Sequence, residues 1–338
     1  MKWSTFMTCA VHLLVELSGE HPALAHAEAR AALEASQVGH RFLLAEERLL
    51  AVETDADASR LGRSLGLAHF VDELLAWGEL EEVLAAARAL DFADRTFRVR
   101  VNSFKGCHTK LELERRVGDL VAGPVDLVAP REEVRLIEGE QHYLCRRLAT
   151  IDRHAFETRK VAQRPFVQPI SLHPRFARAL VNLARVRDGQ TVLDPFCGTG
   201  GVLLEAGLLG ARVIGSDIRA DMVEGCRTTL GEFGLAATLF ASDVGAVQDR
   251  VGQVDAVATD PPYGRATSTK GESIGSLYGR TVLAARRVLA PGGYMAMIVP
   301  DPVLIAPVDG LHFVETYALR VHKSLTRYFI VMRRAYRS

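Results

Sequence analysis

The sequence predicts an α/β protein in two parts, a mostly parallel wound sheet in the C-terminal half and an α+β region before it. Three observations carry that expectation. From Gln190 onward, short apolar runs alternate with helical patterns. A glycine-rich turn, Asp194-Pro195-Phe196-Cys197-Gly198-Thr199-Gly200, stands between the first such run and the first helix. In the N-terminal half Phe97, Val99 and Val101 alternate with Arg98 and Arg100, as in a strand with one buried and one arginine-bearing face. A length of 338 residues allows two or three domains, each with its own core.

Element by element, Pro22 followed by Ala23 to Ala35 predicts an amphipathic helix, and Arg41 to Glu53 reads as strand-like. Val71 to Ala76 and Glu81 to Leu90 look helical. Thr96 to Val101 is a strand and Thr109 to Val121 a helix. Val125 to Leu127, Val134 to Ile137 and Gln141 to Leu148 read as strands. The proline-bearing stretch Arg159 to Pro174 is a connector to a helix over Arg175 to Ala184. Beyond it, Leu193 and Asp194 end a first strand, and Gly201 to Gly210 is a helix. Ala211 to Ser216, Leu235 to Ala241, Val254 to Thr259 and Tyr294 to Val299 are further strands. Arg219 to Leu230 and Ser273 to Leu289 are helices, and Pro291-Gly292-Gly293 is a turn. The expected partition is 1–49, an N-terminal α+β portion; 50–150, a compact α+β domain; 151–185, a basic linker and helix; and 186–338, the wound domain.

Composition excludes other classes. The chain is 48% hydrophobic and 24% charged, unlike a disordered or collagenous polymer. Its five cysteines are scattered, without the close pairs of a zinc site or a disulfide framework, so no metal is expected and a cytoplasmic setting is the simpler one. No apolar run reaches the roughly 18 residues of a membrane span, and Ala10 to Leu17 is too short and interrupted for a secretory signal, so no membrane partner is expected. Net charge is zero but unevenly placed. Arg95 to Arg116 holds seven bases against Glu112 and Glu114, and no acid follows Arg320. Such clusters suit a polyanion or are simply solvated surface.

The turn at Asp194 carries the first chemistry. Counted from Gly198 and Gly200, Leu203 stands where a nicotinamide-binding turn would place its third glycine. An acid at the start of the turn repels a pyrophosphate but accepts a hydrogen bond from an ammonium group. The turn therefore favours S-adenosylmethionine over NAD, with Asp194, Phe196, Gly198 and Gly200 as its donor-binding residues. Asp217, 23 residues after Asp194, suits the ribose diol or caps the next helix. Asp243 suits the adenine amine or is a loop acid, with Ile218 or Val244 packing on the ring.

Asp260-Pro261-Pro262-Tyr263-Gly264 follows the apolar strand Val254 to Thr259. The lone pair of an exocyclic base amine is partly delocalised, so the amine is a weak nucleophile that must be held and turned. The Asp260 carboxylate and the Pro261 carbonyl can accept its N–H bonds and steady the positive charge that grows on nitrogen. Tyr263 can stack on the base, and the double proline limits relaxation of the loop. The Ser/Thr-rich loop Arg265 to Gly271 either covers the target or is a plain loop.

With these motifs in place the chain resembles the archaeal tRNA guanine-10 N2-methyltransferase family. Both motifs carry the resemblance, together with Arg164-Pro165-Phe166 and the stretch Pro174 to Ala184. The resemblance implies a Rossmann-like methyltransferase domain preceded by an RNA-binding THUMP domain at about 50 to 150. It implies S-adenosylmethionine as donor, N2 of a tRNA guanine as acceptor, and dimethylation by two successive transfers. Donor binding falls on Asp194, Gly198, Gly200, Asp217 and Asp243, and base handling on Asp260, Pro261 and Tyr263, with Pro262 beside them. Arg98, Arg100, Lys105 and Lys110 are the expected phosphate contacts, against a solvated edge strand. The connector Val167 to Leu172 departs from the more aromatic or histidine-bearing pattern of related chains. Rival functions are a guanine-6 tRNA methyltransferase, a DNA amino methyltransferase, which the basic α+β region disfavours, and a noncatalytic RNA-binding protein with a retained nucleoside pocket.

Overall fold

The computed structural model describes residues 11–105, 109–166, 172–262, 272–322 and 325–336. The chain forms two compact units. One comprises Met1–Pro22, Gln37–Arg63 and Ala68–Ile151; the other comprises Ala23–Ser36, Ser64–Leu67 and Asp152–Ser338.

The N-terminal elements are, in order, β1 (Val11–Leu17), α1 (Pro22–Ser36), β2 (His40–Glu46), β3 (Leu49–Thr54), α2 (Ala58–Ser64), β4 (Ala68–Gly78), α3 (Leu80–Ala87), β5 (Phe97–Ser103), α4 (Lys110–Gly118), β6 (Glu132–Glu138) and β7 (His142–Thr150). The body of α1 belongs to the second unit. The strands form one seven-stranded sheet in the order β2-β3-β1-β4-β7-β6-β5, antiparallel except for β5 with β6.

Three expectations are corrected here. Arg41 to Glu53 is not one strand but the β2–β3 hairpin, which spans the expected division at 49/50. Val71 to Ala76 is not helical. Val71, Leu74 and Leu75 mimic a helical spacing, but they lie in β4, which pairs with β1 on one side and β7 on the other. A central strand with core contacts on both faces loses the polar alternation that would have marked it. Val125 to Leu127 is no strand either: Val125 makes an isolated bridge to Phe97, and both Val125 and Leu127 are exposed.

The β4 centre also holds a buried charge network. Arg135 on β6 bonds Asp72 on β4 and Glu16 on β1, and Glu16 accepts a second bond from Asn102 Nδ2 at 2.9 Å. Arg98 and Arg100 project from alternate positions of β5, as its pattern predicts, while Phe97, Val99 and Val101 enter the core against α3 and α4.

The second unit continues with α5 (Arg153–Thr158), α6 (Pro174–Leu183), β8 (Thr191–Asp194), α7 (Gly201–Leu208), β9 (Arg212–Asp217), α8 (Ala220–Glu232), β10 (Ala237–Ala241), β11 (Val254–Thr259), α9 (Ile274–Val288), β12 (Leu289–Val299), β13 (Leu311–His322) and β14 (Leu325–Arg334). Its sheet runs β10-β9-β8-β11-β12-β14-β13. The first five strands are parallel, and β14 is antiparallel to both of its neighbours. The mostly parallel sheet expected from the sequence is present, extended by an antiparallel β13–β14 hairpin that the expectation did not include. Pro291-Gly292-Gly293 lies inside β12 rather than in a turn before it. The β11–β12 register shifts there, Gly292 has φ +78°, and a Cβ on Gly293 would stand 2.7 Å from the Asp255 carbonyl oxygen.

Strand order reverses between β8 and β11, whose neighbours continue in opposite directions. In wound sheets the crevice at the carboxyl ends of such a strand pair receives the ligand. The Pro174 to Ala184 stretch has a structural task in this unit. Glu28 on α1 is fully buried and accepts bonds from Gly66 N at 2.8 Å, Leu67 N at 2.7 Å and Asn182 Nδ2 at 2.9 Å. Burial raises the Glu28 carboxyl to about 7.

Candidate active site

The reversal brings the two principal motifs side by side. Asp194 ends β8 and Asp260 follows β11, and the two strands pair at Ala256↔Val192 and Val257↔Leu193. Asp217 ends β9, on the other side of β8. Three carboxylates thus gather at one edge of the sheet, and the charges of Asp260 and Asp217 both act to raise the Asp194 carboxyl.

Asp194 is buried at 1% exposure. Its Oδ1 accepts the Thr259 hydroxyl at 2.6 Å and the Phe196 N–H at 3.0 Å, and burial raises it to about 7. The turn after it needs its glycines. Gly198 and Gly200 have φ +47° and +85°, in the left-handed region that a side chain resists, and a Cβ on Gly200 would meet Cys226 Sγ at 2.9 Å. Phe196 is partly buried against the core, whereas Cys197 is buried against Cys226, which with burial raises its thiol. A thiol so held is packing, not a nucleophile.

Asp217 Oδ2 accepts Gly198 N–H at 3.1 Å, and its Oδ1 accepts Arg219 N–H at 3.0 Å. It therefore braces the glycine turn and keeps lone pairs for further donors. Burial raises its carboxyl. Ile218 beside it is 43% exposed, an apolar surface at the strand end, while Val244 is buried in the core and not on that surface. Asp243 is engaged on both oxygens. Oδ1 accepts Gly245 N–H at 2.8 Å and Arg280 Nη1 at 2.5 Å, and Oδ2 accepts Arg280 Nη2 at 3.1 Å. Arg280 also grips Glu272, Nε to Oε1 at 3.0 Å and Nη2 to Oε2 at 2.8 Å.

Asp260 differs from these acids. Its Oδ1 is shut off from solvent and has no hydrogen-bond partner among the described residues. Burial raises the carboxyl to about 6, opposed by the charge of Arg327 on β14. A buried acceptor without a partner is costly to fold. Pro261 is buried, and the Pro262 carbonyl accepts the Tyr278 hydroxyl at 3.2 Å, which anchors the loop to α9. Tyr263 and the loop Arg265 to Gly271 lie outside the described residues.

The four basic residues expected at phosphates all sit in the first unit. Arg98 is committed to Glu133, Nε to Oε2 at 2.7 Å, and reaches the Leu127 carbonyl at 3.4 Å. Arg100 is freer, 3.9 Å from Glu114 and 41% exposed at its side chain. Lys105 pairs with Glu140 at 3.2 Å and lines a cleft with Arg48, Ser103 and Phe104. Lys110 is exposed at the start of α4.

Sequence reasoning missed Thr259, Arg280 and Arg327, which reach their acids only through the fold. Among the described residues no group of three or more His, Cys, Asp or Glu side chains could hold a metal ion. Among them, too, no helix is long and apolar enough to cross a membrane.

The reversed parallel sheet, with its glycine turn and the three carboxylates at the strand ends, is the arrangement of an S-adenosylmethionine-dependent methyltransferase of Rossmann-like fold, the class that the comparisons give this chain. Residues 162–328 match the family described as RMKL-like, methyltransferase domain. The chain is 34% identical over 337 residues to the tRNA (guanine(10)-N2)-dimethyltransferase of Methanothermobacter thermautotrophicus, covering 96% of this chain and 100% of that one. It is 34% identical to the enzyme of the same name from Pyrococcus abyssi, over 94% of this chain and 98% of the other. The crystal structure of TrmN from Thermus thermophilus aligns with a TM-score of 0.56 at 25% identity, over 96% of this chain and 99% of that one. The chain belongs to the archaeal-type tRNA (guanine(10)-N2)-methyltransferase and dimethyltransferase family.

Proposed function

We propose that this tRNA guanine-N2-methyltransferase acts at guanine 10, on a base extruded from the tRNA, and adds one or two methyl groups. The observation that carries the reading is the buried Oδ1 of Asp260, without a hydrogen-bond partner among the described residues, on the strand beside the turn of Asp194. Both relatives named above are called guanine-10 enzymes, which favours that position over guanine 6.

The donor, when bound, supplies a methyl group made electrophilic by a sulfonium. The rest is positioning by this chain. The Asp194 turn holds the amino-acid end, Asp217 the ribose diol and the Asp243 region the adenine, with Ile218 against the ring. The Asp260 carboxylate and Pro261 carbonyl accept the two N–H bonds of N2, turn its lone pair towards the methyl carbon and stabilise the charge that develops there. Tyr263 stacks on the base, with Pro262 supporting the loop. The N2–methyl bond forms as the sulfur–methyl bond breaks, and N2 then releases a proton to solvent.

The region about 50 to 150 is, on this reading, a THUMP-like module that engages tRNA in the cytoplasm, with the linker and helix at 151–185 leading to the catalytic domain at 186–338. Arg100, Lys105 and Lys110 offer exposed charge for phosphates, while the ion pair of Arg98 suits it better to shaping the strand. Incubation with transcribed tRNA and isotopically labelled donor, followed by nucleoside mass analysis and position mapping, tests the reading. Methyl groups on N2 of guanine 10 support it; modification at guanine 6, on DNA in preference to tRNA, or nowhere, overturns it.

A further inference from the structure

We propose that Arg164 binds the carboxylate of the methyl donor's amino-acid end. Arg164 is 4% exposed, and its Nη1 and Nη2 have no hydrogen-bond partner among the described residues. Its Nε alone is used, donating to the Arg159 carbonyl at 2.8 Å. Burial of a guanidinium without an anion is costly, so a site that keeps one is incomplete until an anion arrives.

The surrounding charge is unbalanced in the same sense. Arg159, Arg164 and Arg178 converge on Glu205 of α7, and of the three only Arg178 is also drawn to a second acid, Glu28. Glu205 is fully buried and already committed. Arg159 Nε reaches its Oε1 at 2.9 Å, and Arg159 Nη2 and Arg178 Nη2 reach Oε2 at 3.3 and 2.8 Å. It gives Arg164 an attractive charge but no hydrogen bond.

The guanidinium abuts the residue that follows the glycine turn. Arg164 Nη1 stands 3.0 Å from where a Cβ on Gly201 would be, and Gly201 is the first residue of α7, directly after Gly200. The uncommitted N–H groups and positive end of that helix favour an anion at the same place. The donor carries a single carboxylate, at the end of the molecule that the turn holds. A planar carboxylate matches the fork of two Nη groups. Arg164-Pro165-Phe166 would then read the donor, and Phe166 fixes the segment by packing on α8, where a Cβ on Gly225 would overlap its ring at 2.1 Å.

Calorimetric titration with S-adenosylhomocysteine and with its decarboxylated analogue, which keeps the nucleoside and the amine, tests this without turnover. The wild-type protein should prefer S-adenosylhomocysteine, and Arg164→Gln should lose about tenfold or more of that affinity while binding the analogue unchanged. Arg164→Lys, which keeps the charge without the fork, should lose part of the preference and decides the matter if Arg164→Gln does not fold. Equal losses on both ligands, no loss on either, or a loss of tRNA binding alone would overturn the assignment. Because neither ligand involves RNA, these outcomes stay separate from failure of the guanine-10 reading.

Discussion

The Thr259 hydroxyl donates to Asp194 Oδ1 at 2.6 Å, from the last residue of β11 to the last residue of β8. That bond ties the glycine turn to the strand that delivers Asp260, across the point where the sheet reverses its order. Both side chains are buried, so removal of the hydroxyl leaves Asp194 less stabilised as a carboxylate.

Thr259→Val keeps the shape and deletes the donor. It should cost about 1–3 kcal/mol of stability and weaken S-adenosylhomocysteine binding, since a buried acceptor is left short of a partner. Urea unfolding and calorimetry check both. Unchanged donor affinity in a destabilised protein would confine the bond to folding.

Asp260 sets a pH dependence of opposite sign for rate and for stability. Its carboxyl lies at about 6 in the folded chain, above its ordinary value of 3.8. The rate of methyl transfer should therefore rise with pH through about 6 and level off, as the carboxylate forms. The folded state holds this proton more tightly than the unfolded chain, so the group's contribution to stability is present below 3.8 and lost as pH rises through about 6. Asp260→Asn should be more stable relative to wild type at pH 7.5 than at pH 4.5, as denaturant titrations at the two pH values would show.

Arg280 clamps Asp243 and Glu272 together. Arg280→Ala should raise the KM for the donor several-fold at saturating tRNA and leave kcat nearly intact, because it unclamps Asp243, the acid proposed for the adenine, without touching the reacting group. A fall in kcat with an unchanged KM would move Arg280 to the chemistry.

On the RNA side, Arg100→Ala, Lys105→Ala and Lys110→Ala should each weaken tRNA binding and lower the salt slope by about one for every phosphate no longer neutralised. Arg98→Ala should chiefly reduce stability, because the buried Glu133 loses one of its two arginine partners and keeps only Arg147. Filter binding over a salt series distinguishes the two behaviours.

The parts that sequence made legible are those whose chemistry is local. Asp194 to Gly200 and Asp260 to Gly264 carry their acids, glycines and prolines within a few residues of one another, and the strands before them are short apolar runs. Long-range partners were not legible. Thr259 and Asp194 are 65 residues apart, and Arg280 and Asp243 are 37 apart, so no spacing rule joins them. Val71, Leu74 and Leu75 misled because a strand whose side chains meet the core on both faces, Leu74 in one cluster and Leu75 against another, carries no clean period of two. The β13–β14 hairpin escaped because its basic and apolar residues follow neither period, although Phe329 to Met332 are buried and Ile330 and Met332 join the core of the second unit. Arg164 was visible only as part of a motif; the burial of its two Nη groups, without a hydrogen-bond partner among the described residues, is a property of the fold.

Single-turnover transfer of a labelled methyl group to tRNA by Asp260→Ala, beside equilibrium binding of tRNA and S-adenosylhomocysteine, tests the role of the open acceptor most directly. Transfer should fall by about a hundredfold or more while both ligands bind as in the wild type, as expected of a group that acts on the developing charge. Transfer at the wild-type rate, or a loss that merely follows weakened binding, would contradict it.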